Sequence, residues 1–146
     1  MGRHKTALKI VSYAMILMAL VSIAMVAIDF FSGNYSEELL AKTVGSQWNS
    51  GLYIPYLIFA IGIVAITVIL YIFLGIRGIK QANGKVNKYG HITLATVLFV
   101  LDVISSIFGI FSMMNKTIEA DSFSQNIVIT LLLFLYISSA KALKEN

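Results

Sequence analysis

Four apolar runs, each long enough to cross a lipid bilayer, constrain this chain more than any other feature of it. A helix needs ~20 residues to span the hydrocarbon core. The runs cover about 8–31, 53–76, 92–113 and 123–140 of the 146 residues. Each is roughly twice the length a barrel strand requires, and none alternates between apolar and polar positions, so strands do not fit. In lipid each backbone N–H and C=O must find its partner inside the segment itself, which leaves helices. Short connections after the second and third runs force neighbouring helices to alternate in direction. The expected fold is therefore all-α and integral to the membrane, a four-transmembrane-helix up-down antiparallel bundle in one domain.

Charge placement gives an expected orientation. Nine of the eleven Lys and Arg residues fall in three places. Arg3, Lys5 and Lys9 precede or open the first run, Arg77, Lys80, Lys85 and Lys88 fill the second connection, and Lys141 and Lys144 follow the fourth run. The first and third connections hold Lys42 and Lys116 against Glu37, Glu38, Glu119 and Asp121. Basic residues stay on the cytoplasmic side during insertion, so both termini are expected in the cytoplasm, with the chain in the plasma membrane. The same placement accounts for the net charge of +4 without nucleic acid, which is not expected as a partner. The first run is read as a span and not as a signal peptide, because its apolar stretch is long and FSGNYS lacks a small-x-small cleavage pattern.

Composition narrows the chemistry. The chain is 58% hydrophobic and 12% charged with a mean hydropathy of +0.85, where a soluble domain carries about twice that charged fraction. It has no cysteine, which removes disulfides, thiolate metal ligands and a cysteine nucleophile. His4 and His91 have no second ligand at metal spacing, so neither a metal nor another cofactor is expected. His91, at the mouth of the third run, reads as an interfacial histidine. Two N-x-S/T triplets begin at Asn34 and Asn115; about one is expected by chance in this composition, and both are set aside.

The connections carry local signals. ANGK holds an Asn83-Gly84 turn pair, so a tight bend is expected there. Residues 35–45 read as a short surface helix, with capping-box spacing between Asn34 and Glu37. Leu39, Leu40 and Val44 form an apolar edge on it. With Trp48 they make a candidate docking surface. Trp48, Tyr53 and Tyr56 are placed to re-enter the membrane at headgroup depth, and Pro55 falls in a first helical turn, where its missing N–H costs nothing.

The residue that most needs explanation is Asp102, in the middle of TVLFVLDVISSIFG. It lies about ten residues into the third run, or ~15 Å along a helix, near the bilayer midplane. An ionised aspartate there costs at least ~2.5 kcal/mol, so it should pair, protonate or face water. Ser105 and Ser106 follow at three and four residues, on the same helical face. Val100, Ile104, Phe108 and Phe111 make an opposite, lipid-directed face. Ser22, Thr67 and Thr130 fall near the midpoints of the other three runs and supply hydroxyls at matching depth. This intramembrane polar cluster is either interhelical glue or a proton or cation site.

No constellation for catalysis is visible, so an enzyme is not expected. Two functions from different classes fit. One is a non-enzymatic accessory, assembly or protective (immunity-type) partner of a larger membrane protein. The other is a small oligomeric transporter or channel using Asp102. The lipid bilayer and either another membrane protein or a second copy of the chain are the expected partners.

Overall fold

The computed structural model describes residues 2–114 and 120–145; the triplet at Asn115 and most of the third connection lie outside the described residues. Five α-helices follow one another: α1 (Gly2–Phe31), α2 (Glu37–Val44), α3 (Tyr53–Ala82), α4 (Gly90–Met114) and α5 (Ala120–Glu145). Two single 3-10 turns, Gly45–Gln47 and Ser50–Leu52, lead from α2 into α3. No strand occurs among the described residues. The helices α1, α3, α4 and α5 are each long and apolar enough to cross a membrane, as in a multi-pass membrane protein.

The long helices overrun the apolar stretches at their basic ends. α1 starts at Gly2, α3 continues to Ala82 and α5 to Glu145. Hydropathy stops at the edge of the hydrocarbon, but helix formation does not: Lys, Gln, Ala and Arg propagate a helix until a stop signal intervenes. For α3 the signal is Gly84, at φ 72. Its N–H donates to the carbonyl of Gln81 at 2.9 Å and the Lys85 N–H to that of Lys80 at 2.9 Å. This is a Schellman closure, and its left-handed residue favours glycine. α1 closes in the same way on Gly33.

The cap of α2 differs from expectation. Ser36, not Asn34, is the N-cap, and its side chain accepts from the Leu39 N–H at 3.4 Å. Asn34 is committed elsewhere, its Nδ2 donating to Asp29 Oδ1 at 2.9 Å across the end of α1. The Schellman turn places Asn34 two positions too early to reach the first N–H groups of α2.

The chain divides into two compact units. One comprises Met1–Met15 with Phe73–Asn146, and the other Ile16–Ile72. The first unit holds most of the buried residues. Leu8, Val11, Ser12 and Met15 on α1 recur at helical spacing and are buried, as are Leu74, Gly75, Gly78, Gln81 and Ala82 on α3. His91, Ile92 and Ala95 on α4 and Leu133, Tyr136, Ser139 and Ala140 on α5 are buried in the same unit. Phe99 and Phe134 extend the α4–α5 packing, with ring centroids 6.1 Å apart. In the second unit, Ala19, Leu40 and Val68 are the buried apolar residues among those described. Large side chains such as Phe59, Ile69 and Phe108 stay outward, the pattern of helices whose exterior is hydrocarbon.

Candidate functional site

The first unit gathers a buried polar cluster at the basic ends of its helices. Each helix contributes a small or polar residue from its buried stripe: Ser12 from α1, Gly78 and Gln81 from α3, His91 from α4, Tyr136 and Ala140 from α5. Gly78 makes the approach possible. A Cβ built there would press on Ser12 Oγ and come within 2.6 Å of Tyr136 Cε2. Only a residue without a side chain lets α1 and α5 close on α3 at this level.

Hydrogen bonds then fix the arrangement. The Tyr136 hydroxyl donates to the Leu74 carbonyl at 2.8 Å. Gln81 Nε2 donates to the Ala140 carbonyl at 2.8 Å, and Gln81 Oε1 lies 2.7 Å from His91 Nε2. A carbonyl can only accept, so the amide orientation of Gln81 is determined by Ala140. The oxygen left facing His91 is an acceptor, and His91 Nε2 must therefore carry the hydrogen. The imidazole stacks edge-on to Tyr136, centroids 6.1 Å apart. Three further buried atoms, Ser12 Oγ, Arg77 Nε and His91 Nδ1, have no hydrogen-bond partner among the described residues. Arg77 also donates from Nη2 to the Lys88 carbonyl at 3.3 Å, which ties the turn after α3 back to that helix. Chemically the cluster can hold three helix segments in one register. It offers one imidazole, one phenol and one hydroxyl.

This cluster was missed in the sequence because His91 reads as an interfacial residue. It is 2% exposed. The reason is the overrun of α3, which carries Gln81 past the end of the apolar run and into reach of α4 and α5. The signal that could have found it is the small-residue pair Gly75 and Gly78 followed by Gln81 one turn later.

The residues singled out around Asp102 are partly brought together. Asp102 is half-buried on α4, Ser105 is exposed, and Ser106 is half-buried with its Oγ unpartnered among the described residues. Ser106 and Thr130 line one groove of about 330 Å³ between α4 and α5, otherwise walled by Val103, Ile107, Ile110, Ile127 and Leu131. The Thr130 hydroxyl donates within its own helix, to the Asn126 carbonyl at 2.8 Å. Ser22 and Thr67 belong to the other unit and are exposed, donating to the carbonyls of Met18 and Ile63 at 2.9 Å each. In an apolar setting the carbonyl four residues back is the nearest acceptor for such a hydroxyl. Val100, Ile104, Phe108 and Phe111 are exposed on the opposite face, as expected. Among the described residues, no three His, Asp or Glu side chains gather as metal ligands would.

The second unit orders the segment between α1 and α3. The Tyr53 hydroxyl donates to the Tyr35 carbonyl at 2.9 Å, and Trp48 meets Tyr53 edge-on at 6.5 Å. Leu39 is exposed and Leu40 is buried, so the two adjacent leucines divide between surface and core. Trp48 is half-buried, and the Val44 side chain lies outside the described residues.

A further cleft, of about 410 Å³, opens between the first turns of α4 and the last turns of α5, beside Tyr89, Lys141 and Lys144. The Lys144 ammonium stands 5.6 Å from the centre of the Tyr89 ring. No family model, no curated protein and no solved structure matches the chain.

Proposed function

We propose that the chain is a non-enzymatic protein of the plasma membrane, its four long helices inserted as an up-down antiparallel bundle with both termini in the cytoplasm. It acts as an accessory, assembly or protective (immunity-type) partner of a larger membrane protein. The observation that carries this reading is the ordered segment 35–53. A loop of that length between two spans needs no internal structure to connect them. Here it holds a capped helix fastened by the Tyr53–Tyr35 bond, with Leu39 turned outward. An ordered, partly apolar surface outside the spans is what a docking face requires, since binding then loses little conformational entropy.

The test is a photoreactive amino acid at Leu39, activated in intact cells. The expected product is an adduct of one discrete mass with a second membrane protein, absent when the probe is placed at Asn83. Adducts with lipid only, together with ion flux through vesicles containing this chain alone, would overturn the proposal. A second reading, a small oligomeric transporter or channel, draws support from Asp102 and the Ser106 hydroxyl one turn after it, beside the α4–α5 groove.

A further inference from the structure

We infer that the cleft between the start of α4 and the end of α5 binds the phosphodiester of an anionic phospholipid. This rests on the membrane placement proposed above. Three features of the cleft favour a singly charged anion. Lys141 and Lys144 stand one turn apart on α5 and both line it, as does Glu145, giving the side chains a net charge of +1. That balance matches a phosphodiester better than a doubly charged phosphomonoester. α4 begins at Gly90, directly after the cleft residue Tyr89, so the positive end of its dipole lies beside the cleft. The Tyr89 carbonyl accepts the Ile92 N–H at 3.0 Å, closing the first turn at the cleft edge. The third feature is fixed geometry. Lys144 is held against the Tyr89 ring, a cation–π contact that keeps the ammonium at the rim without neutralising it.

The α4 wall of the cleft mixes Ile92 with Thr93 and Thr96. Ile92 lies in it and is 6% exposed. The exposed Val97, Val100 and Leu101 continue along α4 from there. A ligand with a charged head and an apolar tail meets both surfaces at once, and a free phosphate ester meets only the first. Lysines near the end of a spanning helix are also expected from insertion alone. The test must therefore separate a site from diffuse charge.

Full-length protein is reconstituted in phosphatidylcholine vesicles with a trace of chain-spin-labelled phosphatidylglycerol or phosphatidylcholine. The motionally restricted fraction of each label is read by electron paramagnetic resonance. A restricted phosphatidylcholine population reports that the chain is inserted; its absence would overturn the membrane placement itself. With the chain inserted, phosphatidylglycerol is expected to be preferred by roughly five-fold or more, about the worth of one lysine near the surface. Lys141→Gln/Lys144→Gln should abolish the preference. Lys80→Gln/Lys85→Gln removes the same charge from exposed positions outside the cleft and should leave it intact. Equal restriction of the two lipids, or equal loss of preference in both double variants, would overturn the site. Displacement of the labelled phosphatidylglycerol by millimolar glycerol phosphate would overturn the lipid and assign the cleft to soluble phosphate esters.

Discussion

His91 and Gln81 share a buried hydrogen bond of 2.7 Å, and Gln81 extends it to the carbonyl of Ala140 at 2.8 Å. One amide thus joins α3 to α4 and to α5, at the level where α3 has left the apolar stretch of its sequence. Burying an amide and an imidazole is unfavourable unless their polar atoms are paired, so each partner's presence depends on the other.

That dependence predicts a non-additive pair. Gln81→Met should cost about 1–3 kcal/mol, because it leaves His91 Nε2–H buried without an acceptor. Gln81→Met/His91→Phe removes both polar groups and should recover most of the loss. Resistance to denaturation in detergent measures all three proteins. Additive losses in the double variant would show that the two side chains act separately.

Gly78 sets the helix approach, and its replacement should be costly. Gly78→Ala would drive a methyl group into Ser12 and Tyr136, an overpacking expected to lose about 1–3 kcal/mol. Gly62, on the same helix, has open space around the corresponding position. Gly62→Ala should be neutral or stabilising, by up to about 1 kcal/mol. Thermal unfolding of the two variants side by side checks this; similar midpoints would contradict the close packing at Gly78.

The short helix α2 depends on its cap. Ser36→Ala should remove the bond to the Leu39 N–H and destabilise that helix by about 0.5–2 kcal/mol. Amide exchange over 37–44 should quicken several-fold while exchange in α4 stays unchanged. If exchange in that segment is already at the rate of a free loop in the unaltered protein, the docking face proposed for it fails.

Orientation is tested by single cysteines in this cysteine-free chain. The positions must avoid Gly84, whose φ of 72 would strain any side chain. Lys85→Cys and Ser46→Cys are exposed alternatives on the two connections. An impermeant reagent added to intact cells should label Ser46→Cys and not Lys85→Cys. The reverse pattern would invert the proposed topology.

Asp102 discriminates between the two functional readings. Asparagine keeps hydrogen-bonding capacity but cannot release a proton. If Asp102 serves packing, Asp102→Asn should fold and keep the cross-linked adduct from position 39, while Asp102→Leu loses about 1–2 kcal/mol. An Asp102→Asn protein that is intact but inactive in ion flux, where the unaltered chain is active, would favour the transport reading.

The sequence by itself determined the helices. Hydropathy over ~20 residues is a local property, and so are the glycines that end α1 and α3; both are legible without knowing what any residue touches. It also showed which face of α4 would be left outward, since Val100, Ile104, Phe108 and Phe111 share one side of a 3.6-residue period. The tertiary structure decided which polar residues matter to the packing. Gln81 and Ala140 are 59 residues apart, and Tyr136 and Leu74 are 62 apart. No local pattern links residues at such separations, because their contact depends on how far α3 runs past its apolar stretch and on the missing side chain at Gly78. For the same reason the donor bonds of Ser22, Thr67 and Thr130 were not legible from depth alone. Depth along a helix is readable from sequence, but each hydroxyl had an acceptor four residues back in its own helix, and proximity favoured it.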